Sequence, residues 1–146
     1  MRILGIDLGT KRIGVALSDA SATLASPLTT VLRTADRQTV RLQLRDLVVE
    51  NEVELVVVGV PYSLDGSVGA AAQRALDEIE ALRDTLGVPV ETYDERLTTV
   101  TAERLLGDAE VRGVDRRAVI DKVAAAVILQ NWLDAAATAA ASEERL

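Results

Sequence analysis

The sequence predicts an α/β domain built on a mixed five-stranded sheet with helices on both faces. Three observations carry that prediction. Residues 3–17 (ILGIDLGTKRIGVAL) read as two alternating strands around the turn Gly9-Thr10-Lys11. Downstream, strand-like and helix-like stretches alternate, which calls for parallel strands joined by right-handed crossovers. Val53–Val60 (VELVVVGV) is almost continuously branched, as expected of a strand covered on both sides.

In the first strand Leu4, Ile6 and Leu8 face one way, and Ile3, Gly5 and Asp7 the other. In the second, residues 12–18, Ile13, Val15 and Leu17 share a face. Residues 19–26 read as a turn and 27–32 as a third strand. Val40, Leu44, Leu47 and Val48 recur at helical spacing over residues 36–51, with Thr34 or Asp36 available as N-cap. Gly59-Val60-Pro61 ends the fourth strand, and a loop through Asp65-Gly66 leads to a helix over residues 67–86. Gly87 and Pro89 bracket the end of that helix, and residues 88–93 form the fifth strand. Thr98 or Thr99 is placed to cap a short helix through Leu106. A glycine-punctuated loop over 107–113 then precedes a long helix over 116–136. Residues 1–138 are expected to form one domain, and 139–146, which lack a patterned face, a frayed tail.

Composition narrows the chemistry. With 146 residues, nearly half of them hydrophobic, the chain is large enough for a proper core, and no long apolar run stands out. The N-terminus passes straight into a strand without a signal peptide, so a cytoplasmic protein is expected. Cysteine and histidine are both absent. That excludes disulfides, thiol nucleophiles, Ser-His-Asp catalysis and most zinc sites. What remains for hydrolysis is a set of carboxylates holding a hard cation such as Mg²⁺ or Mn²⁺. The net charge of −7 argues against indiscriminate nucleic-acid binding, although a local basic patch is compatible with it.

Asp7 is an oddity, a carboxylate within an apolar strand, where an unpaired charge is costly to bury. On its own it reads as the cap of the hairpin turn. Gly5 and Gly9 leave room for something to approach the backbone. Asp94 and Glu95 follow the fifth strand directly, at the carboxyl edge where such sheets bind ligands. Asp121 lies in AVIDKVAAAVILQNWL, with Ala124, Ala125 and Ile128 on its helical face. Each acid alone has an ordinary surface reading; three able to reach one sheet edge point to a metal site. Gly59, Pro61 and Gly66 join a strand to a helix N-terminus, a place for a phosphate cradle or a plain turn. Thr98 and Thr99 read as caps first and phosphate contacts second. Arg33, Arg37, Arg41 and Arg45 recur every four residues, and the last three have no carboxylate three or four positions away. They read as a phosphate-tracking ridge, or as a solvated flank.

Four motifs together, IDLGTKRIGVALSD, GVPYSLDG, YDERLTT and VIDKVAAAVILQNWL, resemble the YqgF nucleases, also called Holliday-junction-resolvase-like proteins. The likeness runs over residues 2–133, with Tyr62 and Lys122 departing from the residue types expected there. It implies a ribonuclease-H-like fold and metal-dependent phosphodiester hydrolysis, with Asp7, Glu95 and Asp121 as the acids that hold Mg²⁺ or Mn²⁺. Lys11 and Arg12 in the first motif join the arginine row and the threonines as expected nucleic-acid contacts. The family is associated with maturing the 5′ end of 16S ribosomal RNA precursors and with junction resolution. The implied partner is structured RNA or branched DNA, with no membrane, and a homodimer stays open. Two other classes compete: an ATPase or kinase-like half-domain, which Asp7-Leu8-Gly9-Thr10 resembles, and a catalytically silent nucleic-acid-binding module.

Overall fold

The computed structural model describes residues 1–98 and 116–144. In chain order these form β1 (Arg2–Leu8), β2 (Arg12–Ser18), β3 (Ala25–Leu32), α1 (Arg37–Glu50), β4 (Val53–Val60), α2 (Ala70–Thr85) and β5 (Val90–Asp94). A one-turn 3-10 helix, Glu95–Leu97, follows β5, and α3 spans Arg116–Glu144. The strands make one sheet in the order β3-β2-β1-β4-β5. β1 pairs antiparallel with β2 and parallel with β4, β2 pairs antiparallel with β3, and β4 pairs parallel with β5. The mixed five-stranded sheet is therefore as the sequence predicts.

The alternation within β1 sorts the molecule into two layers. Leu4 and Ile6, with Ile13, Val15, Val56 and Val58, pack on Val40, Leu44 and Val48 of α1 and on Ala72, Ile79 and Leu82 of α2. Ile3, Ala16, Val57 and Tyr93 face the other way, onto Ala125, Ala126, Ile128, Leu129 and Leu133 of α3. Burial of such branched side chains stabilises by about 1.5–3 kcal/mol each, so the first layer supplies much of the stability. Asp7, two residues beyond Gly5, shares the α3 side.

Several boundaries move for identifiable reasons. β3 begins at Ala25 rather than residue 27, and the register slips where Ala16 faces Pro27. Proline has no N–H to give a ladder, and it is tolerated here because β3 is an edge strand. Asp36, not Thr34, caps α1, accepting from the Gln38 N–H at 3.0 Å. α2 starts at Ala70 rather than Ser67, because the Ser67 N–H and hydroxyl both donate to Asp65 within the preceding turn. The last helix continues to Glu144 instead of ending near residue 136. Its alanine-rich end has high helix propensity and needs no packing partner, and residues 134–143 are exposed. α3 also corrects the expectation of no long apolar run: Ile120–Glu143 is long and apolar enough to cross a membrane, although much of it lies against the sheet. Thr99, the expected helix through Leu106 and the 107–113 loop lie outside the described residues.

Candidate active site at the carboxyl edge of β1

Asp7 is the second-last residue of β1, the central strand, and it is half-buried. Its flanks on the α3 face are held open by glycines. Across β2 its partner is Gly14. A Cβ there would lie 1.9 Å from the Asp121 carbonyl oxygen, so the α3 backbone rests directly on the strand. On β4, Gly59 follows Val58, the partner of Ile6. A Cβ at Gly59 would lie 2.6 Å from Ile128 Cδ1 and 3.1 Å from Glu95 Cγ. Gly5, one step inward on Asp7's own strand, touches Leu129 and the Ala125 carbonyl in the same way. The side chains missing around Asp7 are thus replaced by α3 and by two more acids.

Glu95 is fixed by its own turn. Asp94 caps the 3-10 helix by accepting from the Arg96 N–H at 2.9 Å. Thr98 donates its hydroxyl to the Glu95 carbonyl at 2.9 Å, and the Tyr93 hydroxyl reaches the Leu97 carbonyl at 3.1 Å. The Arg96 guanidinium binds both Asp94 oxygens, reaches the Leu64 carbonyl and lies over the Tyr62 ring, 5.8 Å from its centroid. These contacts join the β4–α2 loop to the turn that carries Glu95.

The electrostatics separate the acids. Burial, then the charge of Asp121, raises the Asp7 carboxyl to about 6. Burial, then the charges of Asp7 and Asp94, raises Glu95 to about 7. Asp94 goes the other way, held below its usual range chiefly by the Arg96 side chain. Asp7 and Glu95 are therefore the strained pair, and Asp94 is a spent cap. Asp121 has a partner of its own: Arg12 Nε donates to its Oδ2 at 2.5 Å.

Buried, mutually repelling oxygen donors are what a hard divalent cation relieves, and their chemistry suits Mg²⁺ or Mn²⁺. Asp7 and Glu95 fit that role as they stand. Among the described residues no three acids stand close enough together to hold an ion. Asp121 fits only with its carboxylate turned from Arg12 toward Asp7.

The remaining residues expected at the site divide by position. Lys11 lies in the β1–β2 turn, and Arg12 opens β2 two positions before Gly14, the partner of Asp7. Thr98 is committed to the Glu95 carbonyl, and Thr99 is outside the described residues. Gly59 lies inside β4 rather than in a phosphate loop, and its role is room for Glu95. Pro61 leads into the loop, and Gly66, at φ +88°, makes its turn under the Arg96 guanidinium. Gly69, not this turn, precedes the first turn of α2. Arg37, Arg41 and Arg45 lie on α1, across the sheet from α3. Only Arg37 is at the acid-bearing edge, because α1 runs from there toward the start of β4. Arg33 leaves the row altogether. Its Nε donates to the Gly9 carbonyl at 2.7 Å and its terminal nitrogens grip Glu78 of α2 at 2.9 Å each.

A central strand that carries a half-buried acid near its carboxyl end, in a sheet ordered β3-β2-β1-β4-β5 with the last helix packed on one face, defines a ribonuclease-H-like fold. Solved structures agree on the fold. The Thermus thermophilus RuvC in complex with a Holliday junction superposes with a TM-score of 0.57 over 90% of this chain and 91% of that one, at 16% identity. The fowlpox virus Holliday junction resolvase gives 0.54 over 92% and 99%, at 12% identity. A family model described as "RuvX: Holliday junction resolvase" matches residues 1–135. The chain belongs to this family, and membership carries the enzyme class, a nuclease. A Mycobacterium leprae relative is 53% identical over 98% of this chain and 79% of its own length. A Myxococcus xanthus relative is 48% identical over 92% and 89%. Each is named "Putative pre-16S rRNA nuclease".

Proposed function

We propose that this nuclease hydrolyses phosphodiester bonds with divalent metal ions, and that its substrate is the 5′ region of precursor 16S ribosomal RNA in the cytoplasm. The observation that carries the metal-dependent reading is the pair Asp7 and Glu95, both shifted toward neutrality by burial and by neighbouring acids. The RNA substrate comes from the names of the relatives, to which this chain is similar along most of its length.

Asp7, Glu95 and Asp121 are the residues that would hold the ions. A bound ion supplies an activated water and neutralises charge building on the phosphate. The chain's own residues do the rest. Lys11 and Arg12 present cations at the β1–β2 turn, on the same sheet edge as Asp7, for the flanking phosphates, Arg12 with the planar fork that suits them. Glu95, whose carboxyl is raised to about 7 in the metal-free chain, would give up its proton as it takes an ion. The Asp94–Arg96–Tyr62 contacts keep the Glu95 turn from swinging away.

Junction resolution is the second reading, favoured by the family description and by the fold shared with RuvC. Mn²⁺-dependent cleavage of a precursor RNA, a four-way DNA junction and single strands, in one assay, separates the two. Preferred cutting of the RNA supports the first reading, and symmetric cutting of the junction the second. Cleavage that persists in EDTA would overturn both.

A further inference from the structure

Arg12 opens β2, and its place is set by backbone alone. It pairs with Leu32 of β3, and the adjoining Arg33 donates its N–H to the Lys11 carbonyl at 3.0 Å. From there its Nε reaches Asp121, 109 positions away in sequence. The two side chains are about a quarter exposed, 27% and 24%. Among the described residues the terminal guanidinium nitrogens have no hydrogen-bond partner.

Asp121 cannot approach the other acids by moving its helix. Its carbonyl already occupies the space a Gly14 side chain would need, so the backbone there is bolted to β2. Only the side chain is free to turn. Its carboxylate is turned to Arg12, and Asp7, paired with Gly14 on the neighbouring strand, is close enough for the Asp121 charge to be felt there. Arg12 takes Oδ2 alone, yet with the carboxylate held there no three acids among the described residues stand close enough to hold an ion, so Asp121 has to turn to join Asp7.

We infer that Arg12 gates the site, holding Asp121 until a phosphate of the nucleic acid draws the guanidinium away and frees Asp121 to turn toward Asp7. The inference rests on the metal-dependent reading above. Phosphate offers Arg12 a bidentate, charge-assisted partner in exchange for a single Nε bond. Binding of nucleic acid and of metal then strengthen each other by one common factor, because linkage is reciprocal. The gate makes metal recruitment follow substrate and keeps the three acids apart in its absence.

Each ligand tests this alone, so turnover never enters. Mn²⁺ is titrated calorimetrically into the full-length protein without nucleic acid. Arg12→Gln should bind it tighter by roughly fivefold, the scale of a partly exposed ion pair. The gain should vanish in the Asp121→Asn background, where no carboxylate is left to release. Precursor RNA is then titrated in EDTA. Asp121→Asn should bind it about fivefold tighter, and that gain should vanish when Arg12 is Gln. Arg12→Lys keeps the charge without the planar fork and should fall between, and melting curves check that each variant folds. Unchanged or weaker Mn²⁺ binding by Arg12→Gln would overturn the gate. So would gains that persist undiminished in the double variant, since they would report net charge rather than the pair. The underlying reading fails differently: wild-type protein that takes up no Mn²⁺ and cleaves nothing with it would remove the site itself.

Discussion

The two faces of the sheet are built by opposite means. Toward α1 and α2 the strands present Leu4, Ile6, Ile13, Val15, Val56 and Val58, large side chains that fill the gap between layers. Toward α3 they present Gly5, Gly14 and Gly59 beside Ile3, Ala16 and Val57. On the first face volume is maximised. On the second it is removed, and helix backbone and carboxylates come down into the space. One face is thus packed for stability, and the other leaves room for Asp7 and Glu95 to sit within reach of each other's charge. That division explains why burial there raises Asp7 to about 6 and Glu95 to about 7, a cost the other face never bears.

The largest test of this division is Asp7→Asn. It should cut hydrolysis by at least about 10²-fold, because it removes a ligand while keeping shape. Above pH 7 it should leave the metal-free protein at least as stable, since the buried charge it deletes is unfavourable; a drop in melting temperature would show that Asp7 is a stabilising residue. A pair of substitutions compares the faces directly. Leu44→Ala opens a cavity under α1 and should cost about 2–5 kcal/mol in denaturant unfolding, with kcat little changed. Gly14→Ala pushes a methyl into the Asp121 carbonyl and should cost about 1–3 kcal/mol. It should also weaken Mn²⁺ binding, which Leu44→Ala should not.

Acidity sharpens the comparison. Asp7 and Glu95 have folded-state values above their ordinary ones of 3.8 and 4.5. Between about pH 4 and 7 the folded chain therefore holds more protons than the unfolded chain, and their contribution makes stability fall as pH rises through that window. The metal-free protein should melt higher at pH 5 than at pH 8 if these two groups dominate. Mn²⁺ should reverse the trend, binding more tightly and releasing protons as pH passes 6 to 7. The smallest effect is expected from Arg37, Arg41 and Arg45 changed together to Gln. With only Arg37 at the acid-bearing edge, the slope of log K for RNA against log salt should flatten by about 0.7–0.9, one contact's worth. A loss near three contacts would place the whole of α1 along the nucleic acid.

Local rules made much of this legible. Period-two alternation placed Asp7 on the opposite side of β1 from Leu4 and Ile6, and the structure has it so. The buried stripe Val40, Leu44 and Val48 followed from helical spacing, whereas the choice of Asp36 over Thr34 as cap did not. What escaped is contact between distant segments. Glycine inside a strand signals close approach, but nothing local says that Gly14 meets Asp121 or that Gly59 admits Glu95. The Arg12–Asp121 pair spans 109 positions and has no periodicity to announce it. Arg33 shows the converse. Its four-residue spacing suggested one ridge with Arg37, but it lies before the helix and is bound to Glu78, 45 positions on. Glu95 was placed at the right sheet edge, whereas the one-turn helix that aims it depends on hydrogen bonds no pattern marks.

The strand order has a further consequence for how the enzyme is lost. Asp7 rides on β1, the innermost strand, with β2 and β4 paired to either side. Its amide neighbours exchange with solvent only through openings that break the sheet at its centre. Glu95 hangs from β5, an outer strand of five residues paired on one side. Mild heating or dilute denaturant should therefore release the β5 margin first and silence the enzyme while β1 stays protected. Inactivation would run ahead of unfolding, and cooling would restore it from the rim inward.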